Sequence, residues 1–212
     1  MSGNQATLDV NRLRHSYEDR VIFHRVGFSW TGPGIICVCG PNGSGKTTLL
    51  SMLGGACVPD EGDILVLGRS MRMVRGQILP LLSYVPDACP VYPFVTGREW
   101  LDFVQAARRP AISTAPDLVR RFGLVDSLEL RFSAMSLGTA RKFMLAAGLG
   151  TQAPITVLDE PTNGLDAAAR DVLREQLLAI AASRLVVMCC HDVGEQRALG
   201  ARCVELASLE TA

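Results

Sequence analysis

The sequence predicts an α/β protein: a mostly parallel sheet wrapped by helices, with an antiparallel β portion at the N-terminus and a mainly helical insert. Three observations carry this prediction. Strand-length apolar runs alternate with helix-length amphipathic segments, as parallel strands and their crossover helices do. A glycine-rich stretch, GPNGSGKT, separates one such run from a helix. From about Asp87 the β-type runs give way to capped helical segments before strand sequence resumes. The chain therefore reads as a single domain over 1–212, with a core of 1–86 and 149–212 and a helical subdomain of 87–148.

Taken in order, TLDVNRLRH, VIFHRVGFSW and GIICVC are β-type, and SYEDR between the first two reads as a hairpin turn. A helix runs from Lys46 to Leu53 and stops at Gly54-Gly55, and GDILVLG is another strand between glycines. Thr96 and Glu99 have capping-box spacing. They open a helix with Trp100, Leu101, Phe103, Val104 and Ala107 on its apolar side, ended by Arg108, Arg109 and Pro110. A short helix around Pro116 to Phe122 is closed by Gly123. Ser136 caps the next, whose Ala140, Phe143, Met144 and Ala147 mark one apolar face and whose first turn carries the bare Gly138. Strand sequence returns at Ile155 to Leu158, followed by a helix from about Ala167 to Ala182, the strand RLVVMCC and a short tail.

Composition narrows the function. Twenty-one basic residues balance twenty-one acidic ones, without the basic excess of a broad nucleic-acid footprint. The run Arg69, Arg72, Arg75 reads as a solvated surface segment. No apolar run approaches the roughly eighteen residues of a bilayer span, and MSGNQATLDVNR has no signal-type apolar core. A mean hydropathy of +0.22 is high for such a chain and suggests surface covered by a partner. The seven cysteines form no C-x-x-C spacing and read as core thiols in a reducing compartment.

GPNGSGKT, Gly40 to Thr47, fits the phosphate-loop pattern G-x-x-x-x-G-K-S/T in full, between a buried strand and a helix. Gly40, Gly43 and Gly45 let backbone N–H groups turn onto phosphates, Lys46 reaches them, and Thr47 offers a hydroxyl to Mg²⁺. Pro41, Asn42, Ser44 and Thr48 complete the cradle. ITVLDEPTNGLD pushes Asp159 to the end of a buried strand, where a carboxylate can hold Mg²⁺ through water, and Glu160 can orient or deprotonate the attacking water. VVMCCHD ends on His191 at the carboxyl edge of the sheet, beside the nucleotide, as γ-phosphate sensor or partner of Glu160. Helix-start geometry at Ser136 and Gly138 makes a second site suited to a phosphate.

These motifs, in this order, resemble the ATP-binding cassette family of ATPases over about Leu8 to Leu206. The resemblance implies a P-loop NTPase core that binds ATP and Mg²⁺. It also explains the second helix start: Met135-Ser136-Leu137-Gly138-Thr139 stands where the family has LSGGQ, which binds ATP held by a second ATP-binding subunit. Leu137 replaces a Gly and Thr139 a Gln. By position, Tyr17 resembles the aromatic that stacks on adenine, and Asp166 of NGLD belongs to the loop crossing the dimer interface. Asp87 stands where a Gln normally touches Mg²⁺ and water; it could bind the metal through water, but its charge would face the γ-phosphate.

The resemblance implies an ATP-hydrolysing transporter subunit that dimerises with itself or a relative and drives a transmembrane subunit from the cytoplasmic face of the membrane. FVTGREWLDFV looks most like the export-type (ABC-2-like) branch. Tyr92 and Phe94, on a loop before Thr96, resemble the lining of the groove that receives the membrane subunit. Two alternatives stand beside this reading: a soluble cassette ATPase of repair or translation, and a weakly hydrolysing nucleotide-dependent module, the latter motivated by Asp87 and Leu137.

Overall fold

The computed structural model describes residues 6–18, 20–72, 75–108 and 114–210. Asp19 of the hairpin turn, the helix stop at Arg109 and Pro110, and the Arg75 side chain lie outside what is described.

Two long strands, β1 (Thr7–Tyr17) and β2 (Arg20–Thr31), pair antiparallel, as the hairpin turn predicts. The loop after β3 (Gly34–Cys39) leads into α1 (Lys46–Leu53), and β4 (Glu61–Val66) returns beside β1 and pairs with the two-residue β5 (Arg69–Ser70). A short α2 (Arg75–Ile78) precedes β6 (Leu82–Val85). The insert supplies α3 (Gly97–Arg108), α4 (Ala115–Arg121) and α5 (Leu137–Leu149). The chain then alternates β7 (Ile155–Asp159), α6 (Ala167–Ala181), β8 (Leu185–Cys189), α7 (Val193–Ala198) and β9 (Arg202–Glu205). The last two give the short tail after His191 a helix and a strand. Asp192 caps α7 through the N–H groups of Gly194 and Glu195, and β9 adds an edge strand beside β3.

The sheets are β2-β1-β4-β5, antiparallel, and β6-β7-β8-β3-β9, parallel. A parallel sheet covered on both faces needs strands apolar on both faces, and β3 shows it. Ile36 and Val38 enter a core shared with α1 and the antiparallel sheet, while Ile35 and Cys37 face the opposite core with α4, α5 and α6. These layers hold the strand ends at one edge, where the phosphate loop, Glu160 and His191 emerge.

The capping box opening α3 forms as its spacing predicts: Thr96 N–H donates to Glu99 Oε2 (2.8 Å), and Glu99 N–H to Thr96 Oγ1 (3.2 Å). Its apolar side is less covered than the sequence suggests. Trp100 is half-buried against Phe132, but Ala107 is exposed and Phe103 is 64% exposed. Cys203 is an exposed free thiol, so the core-thiol expectation fails there, whereas Cys37, Cys189 and Cys190 are buried. Arg72 is not simply solvated, because its Nη2 donates to the carbonyls of Pro59 (2.7 Å) and Asp60 (3.1 Å).

Candidate functional site

The loop after β3 needs backbone that L side chains avoid. Gly40, Gly43 and Gly45 have φ of 147°, 75° and 102°. A Cβ on Gly45 would also lie 2.7 Å from Ile22 and 2.9 Å from Phe23, so glycine is required there twice over. Lys46, first residue of α1, is buried and folds back over the loop, with Nζ donating to the carbonyls of Gly40 (2.8 Å) and Pro41 (2.9 Å). That places an ammonium at the centre of the cradle, on contacts that an anion with better acceptors can take over.

Beside it lies a cleft of about 380 Å³ lined by Tyr17, Arg20, Asn42, Gly43, Gly45, Lys46, Thr47, Thr48, Glu160 and His191, among others. One cavity thus collects the predicted adenine platform, phosphate loop, base and histidine from separate strands and loops. Arg20 was not singled out from the sequence; its guanidinium donates to the Gly43 carbonyl (3.3 Å). Tyr17 is half-exposed and meets His15 edge-on, with centroids 4.7 Å apart at 87°.

Glu160 follows β7 in the left-handed region, at φ 44°, unusual for a non-glycine residue. Its side chain is nearly buried, and Oε1 lies 3.1 Å from His191 Nε2, a close polar contact off the line of a hydrogen bond. Asp159 is 0% exposed and sits beneath the cleft wall rather than on it. Its Oδ1 accepts a hydrogen bond from the Cys189 thiol (2.6 Å), and its Oδ2 has no partner among the described residues. Burial, then the neighbouring Asp159 charge, push the Cys189 thiol far up, so it stays protonated and donating.

The orphaned Asp159 oxygen and the Thr47 hydroxyl are hard oxygen donors of the kind Mg²⁺ takes with phosphates and water. Among the described residues no three His, Cys, Asp or Glu side chains converge as a preformed metal site. The donor set fits a cation completed by nucleotide and water, not one caged by protein.

Asp87 is directed elsewhere than the sequence suggests. Its half-exposed carboxylate accepts from Asn163 Nδ2 (3.1 Å), lies 4.0 Å from Arg141 Nη2, and is absent from the cleft lining. In this structure the Asn163 amide and the Arg141 guanidinium are the groups beside it.

Ser136 caps α5 as predicted, Oγ accepting Thr139 N–H at 3.1 Å. Ser136, Gly138 and Asp166 are not in the cleft; they form a separate surface. A Cβ on Gly138 would come within 2.8 Å of the Gly164 carbonyl, so this glycine lets α5 pack on the NGLD loop. Asp166 caps α6 through Ala169 N–H (2.8 Å) and pairs with Lys142 (2.6 Å); that lysine, then the cap, hold its carboxyl below the usual range.

The subdomain carries an apolar groove of about 600 Å³ lined by Val91, Tyr92, Phe94, Trp100 and Phe103, with Glu99 at its edge. Tyr92 and Phe94 are 70% and 67% exposed and stack on each other at 5.5 Å. Among the described residues, no helix is long and apolar enough to cross a membrane.

Comparison with known proteins matches residues 23–163 to the ABC transporter family model. The chain is 30% identical over 216 residues to the Nod factor export ATP-binding protein I of Bradyrhizobium diazoefficiens, spanning 100% of this chain and 70% of that protein. It is 35% identical over 175 residues to the cytochrome c biogenesis ATP-binding export protein CcmA of Cupriavidus necator, spanning 80% of this chain and 76% of the other. Among solved structures, an ATP-binding subunit of an ABC transporter superposes with TM-score 0.81 at 24% identity, over 91% of this chain and 82% of that one. A bacterial Atm1-family ABC exporter with ATP bound gives 0.78 at 20% identity, over 92% and 36%. These two likenesses are of fold.

Proposed function

The chain belongs to the ABC transporter family of ATPases, and from that premise we propose that it is the ATP-hydrolysing subunit of an export-type transporter, clamping two ATP in a dimer to drive a separate transmembrane subunit. The observation that carries this reading is the single cleft in which Glu160 and His191 face Lys46 and Thr47. Relatives named as export ATP-binding proteins favour the export branch.

In this reading Tyr17 stacks on adenine, and the loop from Gly40 to Thr48 wraps the phosphates. Lys46 leaves the Gly40 and Pro41 carbonyls for the phosphate oxygens, whose negative charge makes them stronger acceptors. Mg²⁺, when bound, supplies charge neutralisation on the phosphates, held by the Thr47 hydroxyl and through water by Asp159. Glu160 takes the proton of the attacking water, and His191 orients that carboxylate by the contact at 3.1 Å. Asp87 is a weaker metal candidate than the motif position implies, because Asn163 and Arg141 hold it.

Ser136, Gly138 and Asp166 serve the ATP of the second ATP-binding subunit, for which their separate surface is suited. The 87–148 subdomain presents the aromatic groove to a short segment of the membrane subunit, which holds the chain on the cytoplasmic face of the membrane. Glu160→Gln tests the core of the proposal. A positioned base contributes about 10²–10⁴-fold, so turnover should fall by that factor while ATP binding is retained. Turnover within a few-fold of the parent would remove Glu160 from the chemistry.

A further inference from the structure

Arg141 is the largest wholly buried side chain among the described residues, only 2% exposed, on the second turn of α5. A guanidinium taken out of water is costly unless its donors find partners. Here four of its five N–H groups meet main-chain carbonyls from two other segments. Nη2 donates to Asp159 O (2.7 Å) and Glu160 O (2.9 Å), and Nη1 to Asp87 O (2.9 Å) and Pro86 O. Nε has no partner. Burial lowers its pKa, and the Asp87 carboxylate opposes that most strongly, ahead of Cys89 and Asp159.

The two Nη2 bonds grip the carbonyls on either side of the Glu160 Cα, the non-glycine residue held at φ 44°. Such backbone persists only where its surroundings over-determine it. A third contact supports it: Asn163 N–H donates to the same Glu160 carbonyl at 3.1 Å. Released from Nη2, the Glu160 backbone can relax toward ordinary φ, and its carboxylate leaves the direction that brings it to His191.

We propose that Arg141 is a positioning residue for Glu160: from α5 it fixes the backbone that aims the Glu160 carboxylate into the cleft, and through Nη1 it ties that backbone to the Pro86-Asp87 segment entering the helical subdomain. The inference rests on the ATPase reading of Glu160. It also gives α5, which Ser136 caps, a mechanical hold on the base, so a shift of α5 against the core strains the Glu160 peptide.

The test uses Arg141→Lys and Arg141→Gln in the full chain, with thermal melting as the check on folding. Steady-state ATP hydrolysis should show kcat down at least tenfold with KM within about threefold. Hydrogen exchange at the Asn163 amide should quicken at least tenfold while amides of β8 keep the parent rate. In a Glu160→Gln background, Arg141→Lys should cause no further loss of turnover, since a misaimed base that is already absent costs nothing. A folded variant with parent kcat and parent Asn163 protection overturns the proposal. So do losses that multiply in the double mutant, or failure of both variants to fold, which would make Arg141 a residue of the fold alone. If the parent chain does not hydrolyse ATP, the ATPase reading fails instead, and Asn163 exchange alone decides whether Arg141 holds this backbone.

Discussion

Removing the Cys189 thiol tests how Asp159 is held. The carboxylate is 0% exposed, and among the described residues its hydrogen-bond donor is Cys189 Sγ at 2.6 Å. A hydrogen bond to a charged group is worth about 1.5–3 kcal/mol, and a weak thiol donor belongs at the lower end. Cys189→Ala also removes one buried heavy atom, adding about 1 kcal/mol of lost contact and cavity. Together these come to about 2.5 kcal/mol. For a chain of this size each kcal/mol lowers the melting temperature by about 2–4 °C, so Cys189→Ala should melt about 5–10 °C below the parent. Cys189→Ser keeps a donor and should lose less than half as much. Differential scanning calorimetry on the three proteins gives the comparison.

The same proteins report on the metal. If Asp159 meets a divalent cation through water, Mg·ATP supplies the partner that Cys189→Ala has lost. The melting temperature of that variant should then rise more with Mg·ATP than the parent's does, while ATP with a chelator raises both equally. Equal losses for the Ala and Ser variants would refute the hydrogen-bond argument. Equal rises with Mg·ATP would refute the placement of Asp159 at a cation.

Three further outcomes follow from the geometry. Lys46→Ala should weaken ATP binding by about 1.5–3 kcal/mol, the loss of a charge-assisted contact, as read by titration calorimetry; unchanged affinity would mean the loop is not the site. Asp87→Asn keeps an acceptor for Asn163 but removes the charge 4.0 Å from Arg141, so the chain should lose about 1 kcal/mol or less of stability, and less still in high salt. Tyr92→Ala with Phe94→Ala should leave melting near the parent, because both rings are largely exposed, yet abolish co-purification with a membrane partner from detergent extracts, anchors in such grooves carrying about 2 kcal/mol or more.

What was legible in the sequence was what depends on near neighbours in the chain. The phosphate loop needs glycine at the positive-φ positions and a lysine at the helix start, so its eight residues announce it. The Thr96–Glu99 cap and the Ser136 cap also close within three residues. Asp159 and Glu160 were legible because Ile155, Val157 and Leu158 precede them on a strand covered on both faces. What was hidden depends on residues far apart in sequence. The periodicity of α5 marks Ala140, Phe143, Met144 and Ala147, and leaves Arg141 on the other face, where a cation would ordinarily meet water. The helix is instead sandwiched between the sheet and the rest of the insert, burying Arg141, Leu145, Ala146 and Leu149 as well. Cys189 read as a core thiol, which it is; its bond to Asp159 comes from a strand pairing thirty residues away.

Asp87 joins these two kinds of reasoning. Read locally, an Asp in place of Gln adds a negative charge near the γ-phosphate and counts against turnover. The fold supplies what the local reading lacked: a guanidinium wholly out of water, 4.0 Å from that carboxylate, already engaged with the Asp87 carbonyl. The carboxylate is half-exposed, so its attraction to the buried guanidinium is modest and screened by salt, but it is directed to Arg141 and Asn163. The Asp87 carboxylate and the Arg141 guanidinium therefore compensate each other, with Asn163 fixing the carboxylate from the other side. In the proposed reading, whether this charge slows hydrolysis depends on Arg141. While the guanidinium holds both Asp87 and the Glu160 backbone, the carboxylate stays turned from the cleft and the base stays aimed into it; an Arg141 variant frees both at once.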